Sequence, residues 1–338
     1  MSRLIMAFAV VLGLLGGACA TGEFQADPIA LADQVGPGDS YAGIRLLGAL
    51  RLSNARTDDP RLCGLSGLAW DEDAGLVYAI SDNGGLFHLR PAFDERGYLS
   101  GMRLVATYRL RDKTDRPVRA PFDDSEGLAI RKGDNGIPGD TELLVSFEVK
   151  PRVARYSPAG QWRGEESLPA PLRDPRNYRD NNQALEAVTV DPGRGMLVGS
   201  EAPLRGDPSD QIRIFANDGR FWRYPLGAAP GSALVAMEAL PDGGLLTLER
   251  AFVNPLRPLV ISLRRTELPA PATDQTPLMV TDVVVFDSSR GWLLDNFEGL
   301  TRYRDRRFFM VSDDNCNSWQ STLLVQFELL PAGPEIAP

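Results

Sequence analysis

Beyond its first twenty residues the chain carries its apolar side chains in short runs rich in Val, Leu, Ile, Phe and Tyr, broken at close intervals by Gly, Pro, Asn and Asp. Stripes at i, i+3 and i+4, the mark of an amphipathic helix, are hard to find, whereas strand-length runs between turn residues continue almost to the C-terminus. The pattern predicts an all-β protein. It also repeats. Ser66-Gly67-Leu68-Ala69-Trp70 returns as Glu126-Gly127-Leu128-Ala129-Ile130, as Glu186-Ala187-Val188-Thr189-Val190, as Glu238-Ala239-Leu240 and as Glu298-Gly299-Leu300-Thr301, at intervals of 60, 60, 52 and 60 residues. After a turn, each motif is followed by a second apolar run ending in an acid: Asp82, Glu148, Glu201, Glu249 and Asp313. Two further strand-like runs usually complete the unit, such as Gln211 to Ala216 and Phe221 to Leu226 in the third.

Four antiparallel strands repeated at a fixed period are the mark of a propeller blade. The expected fold is a five-bladed β-propeller, a sixth and divergent blade being the alternative. The last unit, from Glu298, supplies only three evident strands, while an unassigned run from Ile44 to Ser53 precedes the first motif. That run is expected to complete the last blade and close the ring, because closure protects sheet edges.

The N-terminus predicts export. Arg3 precedes an apolar run from Leu4 to Leu15 and then small residues, the layout of a signal peptide over residues 1–20. Ala18-Cys19-Ala20 fits ordinary cleavage, and Gly16-Gly17-Ala18-Cys19 resembles a lipobox that would lipidate Cys19, so periplasmic, secreted and outer-membrane-anchored forms all stay open. Residues 21–40 read as a linker, 41–331 as the propeller domain and 332–338 as a tail. Either cleavage leaves two cysteines, Cys63 and Cys316, in an oxidising compartment, so a disulfide between them is expected. Cys63 opens the first unit and Cys316 follows the second strand of the last, so the bond would staple the seam of the ring.

Charge narrows the partners. Losing Arg3 leaves 35 basic against 45 acidic residues, a net charge of −10. Such a surface repels phosphate backbones and argues against nucleic acid. It suits divalent cations and cationic ligands. The expectation is a monomer that takes a small-molecule substrate or ligand and meets a membrane only through an N-terminal lipid.

A single histidine, His88, lies on a strand-like run and reads as structural, a role as base being the alternative, and no G-x-S-x-G elbow or histidine-rich zinc pattern is present. The repeat instead supplies carboxylates. First strands line a propeller's channel, so Glu126, Glu186, Glu238 and Glu298 are expected to converge, with Ser66 as the fifth member and the second-strand acids one shell out or at one rim. Buried acids in such number must be protonated, paired with Arg or Lys, or neutralised by a hard cation, for which Ca²⁺ or another divalent ion is the natural choice. Glu126, Glu186, Glu238, Glu298 and Asp82 are the candidate metal ligands, and Glu298 and Asp313 the candidates for acid–base work. A structural role for the same acids, paired with Lys150, Arg152, Arg155, Arg205, Arg250 or Arg302, stays open. Trp70, Trp292 and Trp319 are expected in packing between blades, exposure to stack a ligand being the alternative.

Several motifs, taken together, resemble one known family. They are Ser66-Gly67-Leu68-Ala69-Trp70 with Ile80-Ser81-Asp82-Asn83-Gly84, then Asp124-Ser125-Glu126-Gly127-Leu128, Asn296-Phe297-Glu298-Gly299-Leu300 and Phe309-Met310-Val311-Ser312-Asp313-Asp314-Asn315. In order and spacing, over about residues 60–330, the chain resembles the bacterial "esterase-like activity of phytase" (phytase-like) family. The resemblance implies an exported propeller with phosphoesterase or esterase activity. The Glu-Gly pairs also resemble those of gluconolactonase-like propellers, where a blade-opening Glu ligates a divalent metal. A lactonase and a non-enzymatic ligand- or envelope-protein-binding propeller are the alternatives.

Overall fold

The computed structural model describes residues 24–53, 60–180, 182–270, 272 and 276–331; the leader with Cys19, Asn181 and the tail 332–338 lie outside the described residues. The strand-length runs pair into five sheets arranged as blades. Blade 1 holds Leu65–Asp71, Leu76–Ser81, Gly85–Phe93 and Leu99–Arg109. Blade 2 holds Ser125–Arg131, Glu142–Phe147, Arg152–Tyr156 and Trp162–Glu165, and blade 3 Leu185–Asp191, Gly195–Ser200, Gln211–Ala216 and Phe221–Pro225. Blade 4 holds Ser232–Ala239, Gly244–Ala251, Val260–Glu267 and Val280–Asp287. Blade 5 takes Asn296–Arg302, Arg307–Asp313 and Thr322–Leu329, and is completed by Ile44–Leu52, which pairs with Thr322–Leu329 from Thr322↔Leu52 to Leu329↔Ile44. The first strand of each blade packs against the first strands of its neighbours, blade 5 against blade 1 included. The fold is a five-bladed β-propeller closed by its N-terminal strand.

Within the segment read as a linker, Ala26–Pro28 adds a further strand beside Ile44–Leu52, and Leu31 is buried. The folded unit therefore begins before residue 41. Apolar strand faces meet the next blade rather than a shared centre. Five apolar clusters result, one at each junction, such as Leu50, Leu65, Phe309, Val311 and Leu324 between blades 5 and 1. Burial of these faces, at roughly 25 cal/mol per Å², holds neighbouring blades together.

The seam carries the expected crosslink. Cys63 and Cys316 form a disulfide with their Cα atoms 4.9 Å apart. Beside it, Asp314 accepts hydrogen bonds from the N–H groups of Gly64 (2.8 Å) and Cys316 (3.0 Å). At the other end of the same junction, Thr301 accepts from the Trp70 N–H and Arg304 pairs with Glu72.

The local geometry explains the Glu-Gly-Leu motif. In every blade the pairing of first and second strands slips by one residue near the start of the first strand, leaving a bulge at Ser66, Glu126, Glu186, Val235 and Glu298. A bulge re-aims the unpaired side chain, and in three blades it turns Glu126, Glu186 and Glu298 toward the channel. The following position must be small because adjacent first strands nearly touch. A Cβ on Gly67 would stand 2.6 Å from the Glu126 carbonyl, and one on Gly127 would collide with the Glu186 carbonyl.

Candidate functional site

The first strands all run the same way, so their bulged starts gather at one mouth of the channel. A cavity of about 740 Å³ opens there, lined by nine carboxylates and a single guanidinium, Arg250. Two positions per blade supply most of the acids. One is the bulge, which brings in Glu126, Glu186 and Glu298. The other is the residue after the second-strand column, which brings in Asp82, Glu148, Glu201 and Asp313. Asp124 joins them from the turn before blade 2.

The acids lie closer together than the sequence pattern suggested. Oxygens of Asp124, Glu126 and Glu148 fall within 4.8 Å of one another, as do those of Glu148, Glu186 and Glu201, so Glu148 belongs to both groups. The second-strand acids Glu148 and Glu201 thus stand beside the bulge glutamates. Asp124 and this sharing were missed, although Asp124 sits two residues before Glu126. Glu148 also accepts the Ala184 N–H at 2.6 Å. Asp82 Oδ1 is buried and has no hydrogen-bond partner among the described residues.

Burial and mutual repulsion hold these groups well above the usual carboxylate range. Burial raises Glu148 to about 9 and Asp82 to about 7, the latter helped by Asp313 and Asp124. Burial lifts Glu126 and Glu186 well above ordinary values, reinforced by Glu298 for the first and by Glu126 for the second. Glu298 is pushed up to about 8 by burial, with Arg250 opposing, and Asp313 to about 6, with the Asn315 N–H opposing.

Blade 4 departs from the repeat, and the structure corrects one expected ligand. Glu238 does not join the ring. The bulge of blade 4 falls at Val235, so the blade-opening residue lies three positions before Glu238, and the hairpin beyond it pairs Ala239 with Leu245. Glu238 takes the place that Thr189 and Thr301 hold in other blades, whose hydroxyls accept the Ala239 and Trp70 N–H groups. It faces Arg302 at the opposite mouth, where burial raises it to about 7 against the pull of that cation. The same phase change turns Glu249 away from the cavity, to accept from Tyr224 Oη (2.5 Å), Arg264 (2.7 Å) and the Gly227 N–H (2.8 Å). Arg250 then occupies the column of Asp82, Glu148, Glu201 and Asp313. Its guanidinium binds Glu201 and Asn296, each at 2.6 Å, and stands 3.7 Å from Glu298.

Other expected partners are spent elsewhere. Arg152 binds the Phe122 carbonyl, Arg155 pairs with Glu142, and Arg205 holds the Tyr178 carbonyl. His88 is buried between Tyr78 and Tyr108 with Nε2 2.8 Å from the Pro158 carbonyl, and does not line the cavity. Trp70 and Trp292 pack in blade junctions as expected. Trp319 does not: it is 94% exposed, on the cavity rim.

The donor set fits a hard divalent cation. Every candidate ligand is an oxygen, the two triads converge within ligand reach, and Asp82 presents a buried, unpartnered oxygen. Such sites select Ca²⁺, Mg²⁺ or Mn²⁺ over zinc or copper.

Among solved structures the chain is similar to an endo-arabinase from Bacteroides thetaiotaomicron (12% identity, TM-score 0.46, covering 82% of this chain and 96% of that one). It is similar to the luciferin-regenerating enzyme (10%, 0.37, 80% and 92%) and to the β-propeller domain of Myceliophteria thermophila Cps50 (Swd1) (11%, 0.37, 91% and 99%). No curated protein matches the chain in sequence. The profile described as "Phytase-like: Esterase-like activity of phytase" matches residues 60–316, most of the chain and all nine carboxylates of the acidic mouth. The chain therefore belongs to the phytase-like family.

Proposed function

We propose that the protein is an exported, divalent-metal-dependent phosphoesterase or esterase acting on a small anionic or ester substrate at the acidic mouth. The observation that carries this reading is the imbalance of nine carboxylates against one guanidinium around a single cavity. Acids serving only to hold blades together are paired off; eight of these are gathered with proton affinities above the ordinary carboxylate range. Asp124, Glu126, Glu148, Glu186 and Glu201, with Asp82 at the rim, are the residues that would hold the cation, and Ca²⁺ suits their number and charge. When bound, such an ion neutralises the acids and polarises a phosphoryl or carbonyl oxygen.

The chain's own groups do the rest. Glu298 is fixed by the Asn296 side-chain amide at 2.8 Å and stands beside Arg250. Titrating at about 8, it exchanges protons within reach of neutral pH: its ionised form takes one from an attacking water, and the acid so formed returns it to a leaving oxygen. Asp313, on the adjacent second strand, is the other candidate for that exchange. Arg250 offers the site's positive charge to an anionic substrate.

The test is hydrolysis of p-nitrophenyl phosphate and p-nitrophenyl acetate with added Ca²⁺, with EDTA, and by Glu298→Gln. The expected result is turnover of at least one ester that EDTA abolishes and Glu298→Gln cuts by about 100-fold or more. Absence of metal-dependent turnover of either ester overturns the reading.

A further inference from the structure

We propose that the substrate joins one anionic or ester group to an apolar, aryl-like portion, the first bound beside Arg250 and the second seated on a wall made by Phe252, Pro255, Leu259 and Trp319. The inference rests on reading the acidic mouth as the ester-binding site and narrows what that site accepts. All five residues line the same cavity. The wall comes from two separate loops, one after the second strand of blade 4 and one after the second strand of blade 5. Trp319 is 94% exposed and Phe252 49% exposed, apolar surface that a folded protein rarely leaves clustered in a cleft without use. The Trp319 loop is also fixed: Asn317 Oδ1 accepts the N–H groups of Trp319 (2.9 Å) and Gln320 (3.1 Å), while Asp295 accepts from the Gln320 amide (3.1 Å) and the Ser321 N–H (2.7 Å).

Charge sets the other half. Arg250 is the only guanidinium or ammonium lining the cavity among the described residues. Its Nε is buried with no hydrogen-bond partner among them. One such cation, with a metal ion, matches one phosphate or one ester; a polyphosphorylated substrate would place its remaining charges against carboxylates. The phase change in blade 4 produces both features together, setting Arg250 in an acid's column and Phe252 two residues beyond it. A cavity of about 740 Å³ has room for an aryl phosphate or aryl ester.

The experiment compares Ca²⁺-supported hydrolysis of 1-naphthyl phosphate, methyl phosphate and inositol hexakisphosphate by the full-length protein and by Trp319→Ala, whose exposed side chain can be removed without disturbing a core. The expected result is the highest kcat/KM for 1-naphthyl phosphate, and a KM rise on Trp319→Ala about fivefold larger for the naphthyl than for the methyl ester. Equal or better use of inositol hexakisphosphate, or an equal KM rise for both monoesters, overturns the inference while leaving the esterase reading intact. If none of the esters is hydrolysed, that reading fails, and calorimetry with Ca²⁺ decides the inference alone. Phenylphosphonate binding at least fivefold tighter than methylphosphonate, with the advantage lost in Trp319→Ala, supports it; equal or absent binding overturns it.

Discussion

The two mouths of the channel are built from opposite ends of the same five first strands, yet their chemistry differs. At the starting ends the cavity of about 740 Å³ gathers nine acids and one base. At the finishing ends a cavity of about 680 Å³ is lined by four acids and four bases, and Arg131 and Arg304 there already pair with Glu166 and Glu72. The balanced mouth shows what structural acids look like in this fold: Glu72 pairs with Arg304, and Glu238 faces Arg302. The acidic mouth has bulges that turn Glu126, Glu186 and Glu298 inward, and a single guanidinium to receive nine acids. The seam follows the same division. A disulfide closes it at the acidic mouth, and a half-exposed ion pair with one hydroxyl contact closes it at the other.

Four experiments sharpen or break this contrast, the largest effect first. Replacing Cys63 and Cys316 together by Ser releases a crosslink spanning 253 residues and is expected to cost about 2–5 kcal/mol in denaturant unfolding. Next, Glu148→Gln removes the charge and one of the two oxygens of the carboxylate shared by both triads, and should weaken Ca²⁺ binding by about 100-fold, roughly 2.7 kcal/mol. Glu238→Gln, at the balanced mouth, should leave Ca²⁺ binding within about twofold; calorimetric titration of both variants compares the mouths directly, and equal losses would erase the distinction.

The third concerns pH. Acids whose folded pKa lies above the ordinary value keep protons that the unfolded chain releases, so stability is greatest at low pH and is lost as pH rises through the folded values. For Asp313, Asp82, Glu298 and Glu148 that window runs from the ordinary carboxylate range up to about 9. The melting temperature of metal-free protein should fall by about 5 °C or more between pH 5 and pH 9, and saturating Ca²⁺ should remove most of that slope. A metal-free melting temperature that rises over the same range contradicts the account. The smallest effect is Glu72→Gln, which breaks the exposed seam pair with Arg304 and should cost less than about 1 kcal/mol in the same unfolding assay.

Much of the fold was legible in the chain because a propeller repeats its signals. The small residue after each bulge (Gly67, Gly127, Ala187, Ala236 and Gly299), the second apolar run and its closing acid recur, and Ile44–Leu52 had no partner except the incomplete last unit. The seam disulfide followed from two cysteines placed on neighbouring blades. Blade 4 was not legible. Glu238-Ala239-Leu240 imitates the motif closely enough to be taken for it, while the true bulge at Val235 carries no polar signal and is set by pairing with the second strand. Three residues of phase moved Glu238 to the far mouth, turned Glu249 into a blade-internal ion pair and brought Arg250 among the acids. The exposure of Trp319 was hidden for a related reason: residue type does not say whether a turn tips its aromatic inward or out. Asp124 and Glu148 became site residues only when the curvature of the sheet placed neighbouring blades side by side.

The central claim is that the acidic mouth is a divalent-cation site whose carboxyls hold protons until the cation displaces them. Calorimetric titration of Ca²⁺ into metal-free protein at pH 7, repeated in two buffers of different ionisation enthalpy, measures binding and proton release at once. The account predicts saturable binding with release of about one proton or more per ion, because Glu148 and Glu298 titrate above that pH in the cation's absence. No binding, or binding with the same heat in both buffers, contradicts it.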